Sequence, residues 1–152
     1  ASAMWYNEYY TLLNSGLNEE DLTTFFLDRH GLNFPEDGIY VLEETFRRDR
    51  TLCENFVLAS LEGWRYAFDH PEEALDIVMG HVQKANVATN RPHQRWMLAR
   101  MKDLIGPKDA AIPMGALPQQ DYLTVAKELH RAGLIGGVPS YGEFYAFGPP
   151  KP

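Results

Sequence analysis

Apolar and polar positions follow two rhythms along this chain. Thr23-Thr24-Phe25-Phe26-Leu27 and Ile39-Tyr40-Val41-Leu42 are compact runs of β-branched, aromatic and aliphatic residues, and each reads as a short strand. The second is apolar throughout, which predicts burial on both faces. Everywhere else the period is helical. Trp5 to Asn14 reads as a helix with Leu12 and Leu13 on its apolar side, stopped by Asn14-Ser15-Gly16. Asn18-Glu19-Glu20-Asp21 is an acidic turn suited to capping a short helical turn. His30-Gly31 and the stretch from Asn33 to Gly38 punctuate a loop.

The helical signal strengthens after Leu42. Glu43 to Arg50 predicts one or two turns with Phe46 inward. Leu52 to Phe68 carries apolar residues on two adjacent faces, which predicts a helix buried nearly all round. Gly63 within it costs about 1 kcal/mol relative to alanine, and a close backbone neighbour would account for it. Pro71 starts the next helix, with Glu72 and Glu73 in its first turn and a stripe of Leu75, Val78, Met79 and Val82. Asn90-Arg91-Pro92 opens another, with Gln94, Met97, Leu98, Met101, Leu104 and Ile105 inward, stopped by Gly106-Pro107. Residues 110–117 are irregular. Pro118 opens the last strong helix, striped by Tyr122, Val125, Ala126 and Leu129. Gly133 has the place of a left-handed cap, with Leu134 as its apolar contact. The tail of Tyr141, Phe144, Tyr145 and Phe147 is too apolar to stay in water, whereas residues 148–152 should fray.

Two short strands followed by at least four helices make a lopsided inventory. Two strands alone rarely form a stable sheet. The chain is therefore either a helical domain with a β appendage or an α/β domain lacking part of its sheet.

Composition narrows the function classes. The 152 residues suit one domain, and 45% apolar residues suffice for a core. A net charge of −7 argues against nucleic acid and anionic lipid as partners. Cys53 is the one cysteine, so no internal disulfide forms, and its neighbours Leu52, Phe56 and Val57 predict a buried thiol. No stretch approaches the ~20 apolar residues of a membrane span. Ala1-Ser2-Ala3 runs into an aromatic cluster without a signal-peptide pattern, an abrupt opening expected of a piece of a longer polypeptide.

That cluster, Met4-Trp5-Tyr6-Asn7-Glu8-Tyr9-Tyr10, holds the candidate chemistry. Aromatic faces beside a carboxylate suit a planar ligand that carries N–H donors. A helix start that buries Trp5, Tyr9, Leu12 and Leu13 and leaves Asn7 and Glu8 in water would use the same residues. Other constellations are weak. The five histidines are scattered without metal spacing. The glycines at 133, 136 and 137 lack the strand and lysine of a phosphate loop. Ser60 and Ser140 have no base nearby in sequence. Glu43-Glu44 with Arg47-Arg48 is a solvated charged face, and Glu62 with Arg65 a structural pair.

Four stretches together resemble the NMT1/THI5-like proteins: Trp5-Tyr6-Asn7-Glu8-Tyr9, Asp37-Gly38-Ile39-Tyr40-Val41, the run from Leu61 to Asp76, and Asn90-Arg91-Pro92-His93-Gln94-Arg95-Trp96-Met97-Leu98. The resemblance is to the carboxy-terminal half of these proteins. It implies a helix-rich α/β chain, part of a type II periplasmic-binding fold, with residues 1–38 ending the second lobe and residues 39–152 forming the crossover and the carboxy-terminal helices of the first. It also implies ligand capture without catalysis, cofactor or metal. Trp5, Tyr6, Asn7 and Glu8 would bind a pyrimidine related to thiamine precursors. The partners would be the permease of an ABC importer or, alternatively, a fused signalling module such as a histidine kinase or cyclic-dinucleotide enzyme. Both place the protein in the periplasm or otherwise outside the cytoplasm, tied to the membrane. Half a cleft cannot close, so this chain is expected to bind pyrimidines weakly or not at all, and its strands should pair with a second copy or exchange elements with it. Members that synthesise the thiamine pyrimidine carry a cysteine cluster and a reactive histidine. This chain has neither next to its aromatic run, which disfavours the enzyme reading. A purely structural helical domain remains the contrasting expectation.

Overall fold

Helices account for the regular structure of the protein because most of its apolar stripes recur at helical spacing. The computed structural model describes residues 2–35, 37–106 and 112–145. Among these residues lie α1 (Glu8–Asn14), α2 (Glu43–Arg48), α3 (Arg50–Asp69), α4 (Pro71–Ala85), α5 (Arg91–Ile105), α6 (Gln119–Arg131) and α7 (Tyr141–Phe144), with short 3-10 turns at Glu19–Asp21 and Leu27–His30. None of these helices is long and apolar enough to cross a membrane. The chain divides into two compact units, one of Ala1–Thr24 with Ser60–Gly106, the other of Phe25–Ala59 with Pro107–Pro152.

In the first unit, α4 and α5 form an antiparallel hairpin whose ends are written in the sequence. Pro71 begins α4, where its missing N–H is harmless. Asn86 closes it in the left-handed region (φ 52°), so that the Val87 N–H reaches the Val82 carbonyl. Asn90 then caps α5 by accepting the His93 N–H at 2.9 Å. Between the helices, Glu72 accepts hydrogen bonds from Arg91 (2.8 Å) and Arg95 (2.7 Å), and Arg91 also pairs with Asp76. These are exposed pairs that fix register more than they add stability. The guanidinium groups of Arg91 and Arg95 hold the Glu72 carboxyl below the usual carboxylate range. Burial is concentrated at Leu75 (2% exposed), Leu61 and Tyr9.

The second unit is centred on α6. Tyr122 and Ala126 are buried, as is Met114. The predicted aromatic tail packs as far as Tyr145. Tyr122 lies 5.6 Å from Tyr141 and 5.0 Å from Phe144, ring centre to ring centre, and Tyr141 lies 5.4 Å from Tyr145. Each hydroxyl in this stack finds a backbone acceptor: Tyr122 donates to the Pro139 carbonyl at 2.7 Å and Tyr141 to the Leu117 carbonyl at 2.6 Å. Phe147 and residues 148–152 lie outside the described residues. Gly133 adopts the left-handed conformation (φ 73°), and the Leu134 N–H closes onto the Leu129 carbonyl as predicted. Leu134 itself stays largely exposed.

The expectation of a helix-rich α/β fold, part of a type II periplasmic-binding architecture with two short strands, is overturned: the described residues contain no strand. Leu22 and Phe26 have extended backbones, but the run ends in the 3-10 turn at Leu27–His30. Ile39 to Leu42 are all exposed instead of buried on both faces. A helix satisfies its backbone within one segment, whereas a strand needs a neighbour to receive its hydrogen bonds. Strong β preference without such a neighbour leaves an extended coil.

Three smaller expectations also fail. Only Leu61 of α3 is buried, and Leu52, Phe56 and Trp64 are exposed. Among the described residues nothing lies within 4 Å of the Cβ that Gly63 lacks, so no close neighbour there explains that glycine. Cys53 is half-buried, not fully enclosed.

Candidate functional site

The aromatic cluster at the start of the chain is a turn followed by a helix. The Asn7 and Tyr9 N–H groups both donate to the Met4 carbonyl at 3.1 Å, and α1 begins at Glu8 rather than at the predicted Trp5. Glu8 is the first helical residue, where negative charge is favoured. Its carboxylate also folds back to accept the Met4 N–H at 2.9 Å. Trp5, Tyr6 and Asn7 are half-buried, Glu8 is exposed and Tyr9 is buried. Leu12 is exposed, so the apolar side of α1 is narrower than predicted.

One face of α5 receives this turn. His93, Trp96 and Arg100 are spaced by three and four residues and so lie in line along the helix. The Trp96 indole N–H donates to the Trp5 carbonyl at 3.1 Å. His93 Nε2 lies 2.8 Å from Asn7 Oδ1. The Asn7 amide nitrogen faces Glu8 Oε1 at 3.5 Å. With Asn7 oriented that way its oxygen accepts from the imidazole in the tautomer that carries its proton on Nε2. The Arg100 guanidinium carbon lies 4.8 Å from the ring centres of both Trp5 and Trp96, a shared cation–π contact. Arg100 Nε is 2.9 Å from Asp103 Oδ2, close enough for an ion pair but out of line for a hydrogen bond. Tyr10 stacks on Trp96 with centroids 4.8 Å apart and planes 14° from parallel, and it also touches His93.

Two depressions lie in the same unit. A shallow dish of about 310 Å³ is lined by Tyr10, Pro92, Arg95, Trp96 and Ala99. An apolar groove of about 190 Å³ runs between α3, α4 and α5, with Trp64, Leu75, Val78, Met97 and Met101 among its walls. Trp5, Tyr6, Asn7 and Glu8 line neither of them. The patch is a surface carrying a carboxylate and aromatic faces, able to orient a flat guest but not to enclose one. No group of three or more metal-ligating side chains occurs among the described residues. Ser140 donates to Glu143 at 2.6 Å, but that carboxylate belongs to the cap of α7, which lowers the Glu143 pKa.

The four predicted site residues thus sit together in one turn, and the fold adds Tyr10, His93, Trp96 and Arg100. No histidine adjoins the aromatic run in sequence, yet His93 adjoins it in space. The apolar stripe of α5 marks Gln94, Met97, Leu98 and Met101 as an inner face and carries no information about the opposite one. The available signal was the spacing His93, Trp96, Arg100, an aromatic flanked by cationic or polar groups on one line of a helix.

Comparison with known families bears on this turn directly. Residues 1–74 match the family described as NMT1/THI5 like. The match covers the first 74 of the 152 residues. The match includes Trp5, Tyr6, Asn7 and Glu8 and ends within α4. The NMT1/THI5-like stretch therefore supplies the turn, while His93, Trp96 and Arg100 lie beyond it. No curated protein and no solved structure gives a significant match to the chain.

Proposed function

We propose that this NMT1/THI5-like chain captures a small molecule, a planar heterocycle of the aminopyrimidine kind, without transforming it. The observation that carries this reading is the exposed Glu8 carboxylate beside Trp5 and Tyr6, within the family match. An ionised carboxylate accepts about four hydrogen bonds. Glu8 receives one good bond from Met4 and one long one from Asn7, which leaves capacity for a ring amino group. Trp5 and Tyr6 provide stacking area. Asn7, held by His93, fixes the turn, and Arg100 supports the Trp5 ring. The captured molecule would pass to the permease of an ABC importer, which places the working protein outside the cytoplasm at a membrane.

Proton–nitrogen NMR tests the capture step on the full chain, because it registers weak binding. Adding an aminopyrimidine should shift the Trp5 indole N–H, and Glu8→Gln should remove that shift. A Trp5 signal that stays in place at saturating aminopyrimidine overturns the reading.

A further inference from the structure

The Arg100 guanidinium lies against two indoles at once. Its central carbon is 4.8 Å from the ring centre of Trp5 and 4.8 Å from that of Trp96, over a face of each. Arg100 is half-buried, as are both tryptophans. Tyr10 stacks on Trp96, 14° from parallel, and widens the aromatic surround. Helix α5 thus holds a permanent positive charge on one face of Trp5, since a guanidinium does not titrate in proteins. Two carboxylates stand near this charge or near its ring. Asp103 Oδ2 is 2.9 Å from Arg100 Nε without a hydrogen bond, and Asp103 is exposed, so water screens it in part. Glu8 is exposed too, and turns one oxygen to the Met4 N–H.

A guest that stacks on Trp5 takes the face that Arg100 leaves and meets the cation through the thickness of one ring. An indole polarised toward a cation on one face presents less negative charge on the other. The stacked guest would lie roughly 8 Å from the guanidinium, where two unit charges in a half-wet site still change affinity several-fold. A neutral, electron-rich ring escapes both penalties and stacks well on an electron-poor indole.

We infer that Arg100 selects the charge of the guest. Acting through Trp5, it favours a neutral aminopyrimidine over the same ring made cationic at a ring nitrogen, while Glu8 reads the amino N–H groups that both forms carry. The inference rests on the capture reading given above.

The test follows the Trp5 indole N–H of the full chain by NMR, in mildly alkaline buffer, during titration with two guests: a neutral aminopyrimidine and its ring-N-methylated pyrimidinium. The native chain should bind the neutral guest more tightly. Arg100→Gln should move the ratio of the two affinities toward the cation by about threefold to tenfold. Asp103→Asn removes a partly compensating negative charge at an exposed position and should move the ratio the other way, by about twofold. A purely structural part for Arg100 would lower both affinities together and leave the ratio in place. If circular dichroism shows that Arg100→Gln disturbs the fold, Asp103→Asn decides alone. An unchanged ratio in the folded variants, or a native chain that prefers the pyrimidinium, overturns the inference and leaves capture standing. A native Trp5 signal that neither guest moves overturns the capture reading, and this inference with it.

Discussion

The two units solve the problem of apolar surface differently. The unit holding α1, α4 and α5 ties distant segments together through directional contacts: the Trp96 N–H to the Trp5 carbonyl, the His93 imidazole to Asn7, and Glu72 to two arginines. The unit holding α6 and α7 relies on a tyrosine stack whose hydroxyls end on nearby carbonyls, and it leaves Ile39 to Leu42 uncovered. A helical segment completes its own backbone and needs only one apolar contact face. An extended segment has no such internal solution. The difference lies in what each kind of backbone requires from outside itself.

The sharpest way to break this comparison is to remove apolar bulk from each unit. Leu75→Ala, at the most buried position, should lose about 3 kcal/mol of stability in urea unfolding. Leu42→Ala should change stability by less than about 0.5 kcal/mol. A comparable loss at both positions would mean that Leu42 is covered in solution.

A smaller effect concerns the directional contacts. Trp96→Phe keeps an aromatic ring against Tyr10 but removes the indole N–H, leaving the Trp5 carbonyl without that donor. It should cost about 1–2 kcal/mol, also by urea unfolding. Tyr141→Phe, the corresponding deletion in the other unit, should cost about 1 kcal/mol through the loss of its bond to the Leu117 carbonyl.

Smaller still is the coupling of His93 and Asn7. The single alanine variants and their double variant should give an interaction free energy of about 0.5–1 kcal/mol. Additive losses would show that the 2.8 Å contact carries no energy.

The smallest expected effect depends on pH. The pKa values of Glu72 and Glu143 are lowered by hydrogen bonds, from Arg91 and Arg95 in the first case and from Ser140 in the second. A carboxylate with a depressed folded-state pKa contributes stability above its unfolded value of about 4.3. That contribution fades as pH falls through the lower, folded value. Glu72→Gln should therefore flatten the acid limb of a thermal-stability profile while leaving its neutral region nearly level, since both groups are exposed.

Much of the helical framework is legible in the sequence. Pro71, Asn90-Arg91-Pro92 and Gly133 mark helix ends by local rules that hold irrespective of tertiary context, and the structure keeps all three. The strands at Thr23–Leu27 and Ile39–Leu42 fail because β preference describes only one partner of a pair. The burial of α3 is over-read for a related reason: two apolar faces state what a helix is able to cover, not what comes to cover it. In the candidate site, Trp5 to Glu8 stand out through their density of rings and charge. His93 and Arg100 do not, because only the approach of α5 to the first turn gives them a role.

Of the protein's three tryptophans, Trp5 and Trp96 share the Arg100 guanidinium, whereas Trp64 stacks on Phe68 beside the apolar groove. The molecule therefore carries two natural optical probes in one unit. Emission from the cation-flanked indoles follows the amino-terminal turn, and emission from the third follows the groove. With Trp64→Phe, the remaining fluorescence becomes a label-free signal of whatever settles on that turn.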